Sequence, residues 1–206
     1  MIELIDIKKT YGDQIIFNGL NLKIDDGDFI CVSGDSGSGK TTLLNIIGGL
    51  EPFDDGEILF DSKKIKTKKD RIRLFRQELG FIFQNFVLVE NKTVKQNLEL
   101  IRKEDLTGES LDGVLDLVGI IDKKDKKVYT LSGGEQQRVA MARLYLKKCR
   151  YVLADEPTGS LDKKNADKIF DIFKDLNARG KTIIIVTHDE RLKSKIKRQV
   201  NLSEIK

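Results

Sequence analysis

The sequence has no apolar run near the ~20 residues that a membrane-spanning helix needs. Its longest runs, such as Thr182-Ile183-Ile184-Ile185-Val186, have only the length of a strand. Thiols are scarce too: Cys31 and Cys149 are the two cysteines, both in apolar surroundings without metal-ligand spacing, and they read as reduced core thiols rather than a disulfide or a zinc site. Met1-Ile2-Glu3-Leu4-Ile5-Asp6 lacks the positive start, long apolar stretch and small-residue cleavage site of a secretory signal, so the expected location is the cytoplasm. No internal repeat, Pro/Gly-rich linker or low-complexity tract divides the chain. A single domain spanning residues 1–206 is expected.

The remainder is balanced. Hydrophobic residues are 39% and charged residues 34%, as in a globular protein. The net charge of +4 comes from short lysine clusters such as Lys63-Lys64 and Lys123-Lys124. Scattered clusters of this kind are ordinary solvated surface and select no partner by themselves.

Alternating segments from Met1 to about Phe60 (Leu20, Leu22, Ile24; Gly56 to Phe60) predict strands, many of them antiparallel. Among them the continuous apolar strand Phe29-Ile30-Cys31-Val32 runs into a glycine-rich loop, after which Leu43, Ile46, Ile47 and Leu50 repeat at helical spacing. From about Asn85 to Tyr145 the pattern is mainly helical. Thr93-Val94-Lys95-Gln96 and Ser132-Gly133-Gly134-Glu135 fit the capping box that opens a helix. Two buried-type strands, Tyr151 to Ala154 and Thr182 to Val186, flank a helix face of Ile169, Ile172, Phe173 and Leu176 that Gly180 closes. Strand, helix and strand in this order predict a parallel sheet. The expected fold is α/β: a P-loop NTPase core with a parallel sheet, an N-terminal antiparallel β subdomain and a helical subdomain inserted at about residues 85–145.

The loop carries the pattern Gly34-x-x-x-x-Gly39-Lys40-Thr41 of a Walker A phosphate loop. Backbone N–H groups from Gly34, Asp35, Ser36, Gly37, Ser38, Gly39, Lys40, Thr41 and Thr42 would turn toward one concavity, with Lys40 reaching the β/γ-phosphates and the Thr41 hydroxyl ligating Mg²⁺. Asp155-Glu156 follow a buried strand and so emerge at its C-terminal end, the edge where open α/β sheets bind ligands. Asp155 suits the metal. Glu156 suits orientation or deprotonation of an attacking water. Leu131-Ser132-Gly133-Gly134-Glu135-Gln136-Gln137-Arg138 offers a second anion-binding helix start in Ser132, Gly133 and Gly134, and a second such surface makes sense if it serves the nucleotide of another copy.

That last segment resembles the signature motif of ABC (ATP-binding cassette) ATPases. Further residues resemble the family's other elements in chain order: Tyr11 the adenine-stacking aromatic, Gln84 the Q-loop glutamine that senses Mg²⁺ and the transport partner, Ser160-Leu161-Asp162 the D-loop, and His188 the switch histidine on the γ-phosphate. Asp35 departs from the family pattern, where proline is frequent at its position. The resemblance implies ATP and Mg²⁺ as cofactors, hydrolysis with Glu156, His188, Lys40 and Gln84 in catalytic roles, Thr41, Gln84 and Asp155 at the metal, and Asp162 at the nucleotide. As partners it implies a homodimer in the ATP-bound state and a separately encoded integral-membrane permease that would hold the subunit at the inner face of the cell membrane, with no nucleic acid. The stretch Ala154 to Asp162 is similar to the macrolide-export and lipoprotein-release group, and Phe83-Gln84-Asn85-Phe86 with Glu90 to Val94 to peptide or bacteriocin exporters. A soluble ABC ATPase acting on DNA or ribosomes is the alternative, although the coiled coil, zinc cysteines or second cassette usual in such proteins are not present. A GTPase fails on the guanine-reading pattern, because Asn91-Lys92-Thr93 is followed by Val94.

Overall fold

Runs of β-branched and aliphatic residues form the strands, and glycine-bearing polar turns separate them. The computed structural model describes residues 1–65, 67–159 and 161–205. In chain order the elements are β1 (Ile2–Tyr11), β2 (Gln14–Ile24), β3 (Phe29–Ser33), α1 (Lys40–Ile47), β4 (Asp55–Phe60), β5 (Lys63–Lys64), α2 (Lys68–Gln77) and β6 (Leu79–Ile82). They continue with α3 (Val94–Leu98), α4 (Leu111–Leu117), α5 (Gly133–Leu146), β7 (Tyr151–Asp155), α6 (Lys163–Ala178), β8 (Thr182–Val186), α7 (Glu190–Lys195) and β9 (Arg198–Asn201).

The strands make two sheets. An antiparallel one runs β2-β1-β4-β5 and a parallel one β6-β7-β8-β3-β9. Side chains alternate across the parallel sheet, so each strand feeds two cores. Cys31, Val152, Ala154, Ile183 and Ile185 face the core shared with α3 to α6. Ile30, Val32, Leu153, Ile184 and Val186 face the core shared with α1 and the antiparallel sheet. Both cysteines are buried free thiols, as their surroundings predict.

Register decides where the chemistry lies. Val32 pairs with Val186, Val186 with Asp155, and Ala154 with Ile82. The chain therefore leaves β3, β8, β7 and β6 at one common edge, which brings the glycine loop, His188, Glu156 and Gln84 toward the same side of the molecule.

Helices α3, α4 and α5 lie between β6 and β7, and among the described residues the only bridges there outside the named strands are Thr93 with Lys127 and Leu106 with Lys147. Both expected capping boxes form, at Thr93 and Ser132. Helix α1 is shorter than its apolar spacing predicts. It ends at Ile47, Gly48 and Gly49 turn the chain, and Leu50 is exposed. Helix α2 has no apolar stripe because it buries only Leu74, and it opens on a Thr67–Asp70 capping box instead.

A charged cluster ties the antiparallel sheet to the start of β7. Arg150 donates to both carboxylate oxygens of Asp61 and to Asp26, while the Met1 ammonium donates to Asp61 at 2.8 Å and to the Tyr151 hydroxyl at 2.7 Å. The Arg150 hydrogen bond, then the Met1 ammonium, hold the Asp61 carboxyl well below the usual carboxylate range. A depressed folded-state value means the pair contributes stability above the unfolded value of about 4 and loses it as the pH falls through the folded one. Asp61 and Arg150 are 46% and 44% exposed, so solvent screens them. Arg150→Met is expected to cost about 1 kcal/mol or less at pH 7. In urea denaturation the difference should shrink in 1 M salt and as the pH drops below about 4.

Candidate functional site

The chain leaves β3 at Ser33 and turns through Gly34 to Gly39 before α1 begins. Gly39 is the N-cap at φ 95° with no side-chain cap, and no acidic residue sits in the first turn. The amides of Lys40, Thr41 and Thr42 thus have no intrahelical acceptor, and the positive helix end stays open to an anion. Glycine is required here twice over. Its φ lies in the left-handed region, and a Cβ would stand 2.5 Å from Ile16 Cγ2 and 3.0 Å from Phe17 Cζ. Lys40 Nζ donates to the carbonyls of Gly34 and Asp35, both at 2.8 Å, which folds its side chain back across the loop.

Opposite the loop stand the residues that follow β7 and β8. Thr187 Oγ1 donates to Glu156 Oε2 at 3.1 Å, and the His188 backbone N–H donates to Oε1 at 3.1 Å. His188 Nδ1 lies 2.6 Å from the same Oε1. An ionised carboxylate only accepts, so Nδ1 carries the proton and Nε2 of a neutral ring is left as an acceptor. Glu156 itself sits at φ 46°, a strained backbone for a residue with a side chain. Its amide bonds Val186 O at 2.9 Å, which fixes the turn against β8.

Asp155 is half-buried and lies against Thr41. Burial pushes its carboxyl above the ordinary value, the Thr41 hydrogen bond opposes this, and the Glu156 charge adds to it. Its Oδ1 is buried without a hydrogen-bond partner. A hard divalent cation favours oxygen ligands of this kind, and a carboxylate with a spare buried oxygen beside a threonine hydroxyl fits Mg²⁺.

One cleft of about 530 Å³ gathers half of the predicted residues: Gly34, Ser36, Gly37, Gly39, Lys40, Thr41, Thr42, Glu156 and His188 all line it. Asp35 lines an adjoining groove beside His188 and Lys193. Ser38 turns inward, 6% exposed, where a Cβ on Gly34 would stand 2.8 Å from its Oγ. Tyr11 is exposed at the β1–β2 hairpin, with the Lys9 ammonium 4.5 Å from its ring, and Gln84 is exposed in the turn after β6. Ser132, Gly133, Gly134 and Asp162 do not line the cleft. Ser132 caps α5 and Asp162 caps α6, Gly133 is open, and Gly134 is buried against Asn165. Ser160 lies outside the described residues. Two contributors carried no chemical signal in the sequence: Ile16, a wall residue inside an apolar alternation, and Thr187, a strand-end threonine whose partner is 31 residues away.

The family described as "ABC transporter" matches residues 17–159. This chain belongs to the ABC transporter family. It is an ATPase cassette of that family, with the mixed α/β fold that the resemblance implied. Among its relatives is the lipoprotein-releasing system ATP-binding protein LolD of Leptospira interrogans, 40% identical over 208 residues and covering 98% of this chain and 88% of that protein. The macrolide export ATP-binding/permease protein MacB of Campylobacter jejuni is 37% identical over 211 residues, covering 99% of this chain. The chain spans 33% of that MacB. Among solved structures, the dimeric post-hydrolysis state of the ATP-binding cassette MJ0796 bound to ADP and Pi is 34% identical with a TM-score of 0.83, covering 98% of this chain and 94% of that one.

Gly39→Ala is expected to weaken nucleotide binding at least about tenfold, and the added methyl at positive φ to cost about 1–2 kcal/mol in stability; a fluorescent ATP analogue and thermal melts measure the two. Asp155→Asn should lower Mg²⁺-dependent turnover by about 100-fold or more, a loss of several kcal/mol of transition-state stabilisation. Nucleotide binding without Mg²⁺ should survive in that variant, which titration in a chelator would show.

Proposed function

We propose that the chain is the ATP-hydrolysing subunit of a transporter whose permease is a separate polypeptide, and that it acts as a homodimer sandwiching ATP between the phosphate loop of one copy and the Ser132 segment of the other. The observation that carries the reading is the cleft that joins the amides of α1, Lys40, Glu156 and His188 while the Ser132 helix start stays outside it. The Ser132-Gly133-Gly134 helix start, capped within its own chain by the Ser132–Glu135 box, lies outside its own chain's cleft, which fits service to a second copy. The cassette MJ0796, itself dimeric with ADP and Pi, supports the pairing of two copies.

The chemistry is transfer of the γ-phosphoryl group to water. The loop amides and Lys40 bind and orient the phosphates, and in-line placement supplies much of the acceleration. Thr41 and Asp155 would hold Mg²⁺, which would offset negative charge on the nucleotide. Glu156 takes the proton or direction of the attacking water. His188 is held by Glu156 through Nδ1, and because a phosphate oxygen only accepts, Nε2 meets it as a donor only when the ring carries both protons. Tyr11 stacks on the adenine, and Gln84 reports on the metal to the partner. ATP binding closes the dimer and hydrolysis lets it open.

Among the described residues no helix is long and apolar enough to cross a membrane, and a permease is the partner that would place the subunit on the inner face. Beside Gln84, Phe81 stacks between Phe75 and Phe83 with centroids 5.5 and 5.1 Å apart. Phe75, Ile72, Leu50, Val87 and Val89 are exposed apolar side chains that such a contact could cover. The names of the LolD and MacB relatives support a lipoprotein or drug-like cargo and an outward direction, while a peptide cargo rests on the resemblance of Phe83 to Phe86 and Glu90 to Val94 to peptide exporters.

Glu156→Gln is expected to bind ATP with near-normal affinity, to lose turnover by about 100-fold or more, and to accumulate as an ATP-bound dimer on gel filtration. Near-normal turnover in that variant would remove the role given to Glu156. Monomer at every ATP concentration would remove the sandwich.

A further inference from the structure

Within one chain, the start of α5 is tied to the segment that follows Glu156. Gln137, fully buried, donates from Nε2 to the Pro157 carbonyl at 2.9 Å. The next residue, Arg138, donates from Nη1 to Asn165 Oδ1 at 3.0 Å. Asn165 then donates to Asp162 twice, from Nδ2 to Oδ2 at 2.6 Å and from its backbone N–H to Oδ1 at 3.0 Å. Gly134 packs on the same amide. A Cβ there would stand 3.3 Å from Asn165 Cγ, which makes this glycine a seat for the amide inside its own chain.

The backbone bond from Asn165 already satisfies the helix cap that Asp162 supplies to α6. The side-chain bond is additional, and its polarity is constrained. Arg138 can only donate and an ionised Asp162 can only accept, so a side chain that joins them must accept at one end and donate at the other. An amide does this, whereas a carboxylate or an alkyl group does not. The two Asn165 donors also hold the Asp162 carboxyl below its ordinary range.

We propose that Asn165 is a positioning residue for ATP-driven pairing: through Arg138 and Gly134 it reads the orientation of the signature helix and transmits it to Asp162, so that both parts of the chain that meet the partner's nucleotide are presented in one fixed geometry. The inference rests on the sandwich reading above and adds to it a residue that lies outside the phosphate cleft. It also gives the chain an internal connection between Glu156, which serves its own ATP, and the Ser132 helix start, which serves its partner's. Gln137 holds the near end of that connection at Pro157 and Asn165 the far end at Asp162.

The test uses the full chain with Asn165→Ala and Asn165→Asp, each made alone and in the Glu156→Gln background. Asn165→Ala is expected to leave ATP binding by the single subunit within about twofold while raising the ATP concentration for half-maximal dimer in the Glu156→Gln background by about tenfold. Asn165→Asp separates positioning from support of the fold. It strengthens the contact with Arg138 but sets a carboxylate against Asp162, so pairing and kcat should fall further than in Asn165→Ala while the melting temperature is held or raised. Pairing at unchanged ATP concentration in Asn165→Ala, or an Asn165→Asp chain that pairs and turns over like the parent, overturns the proposal and leaves the sandwich intact. Absence of an ATP-bound dimer in Glu156→Gln alone overturns the sandwich, and the positioning role with it.

Discussion

The parallel register of β6, β7, β8 and β3 is the constraint from which the rest of the site follows. Backbone hydrogen bonds, not side chains, place the ends of these strands at one edge, with Val32, Val186, Asp155 and the Ala154–Ile82 pair in step. A shift of one residue in any of these ladders would turn its apolar side chains to the other core and carry a functional residue away from the edge. Burial on both faces of the sheet therefore protects the chemistry: the residues that fill the two cores are the same ones that fix where Glu156 and His188 emerge.

Against that rigid edge the polar groups are arranged by opposition. The phosphate loop presents donors and a cation, while the ends of β7 and β8 present two carboxylates and an imidazole. Glu156 is restrained by three donors from Thr187 and His188, and a left-handed backbone aims it. Asp155 is left with a buried, unmatched oxygen. The first arrangement stores orientation and the second stores unmet attraction, and both suit a site completed by a charged nucleotide.

Much of this was legible in the residues because the signals are local. The phosphate loop, the strands Phe29 to Val32 and Thr182 to Val186, and the capping boxes at Thr93 and Ser132 are each written in a few consecutive positions. The misses have the opposite character. Helix α2 rests on one buried leucine and on a box with Asp70 rather than Glu or Gln at its fourth position, so neither periodicity nor pattern marks it. Strand β9 is only half-buried and joins the sheet beside β3 at the far end of the chain. Ile16, Thr187 and Asn165 act through partners distant in sequence, and no spacing rule reaches that far. Leu50 continued a helical repeat that two glycines had already ended.

The contact between Ile16 and Gly39 has a mechanical meaning. A methyl group of the antiparallel sheet rests where the phosphate loop has no side chain, so the loop's curvature and the tilt of that sheet are not independent variables. The hairpin that ends in Tyr11 and begins again at Gln14 is the lever arm of this bearing. A shift of that hairpin would press on the loop through Ile16, whose methyl already fills the space a Gly39 side chain would need.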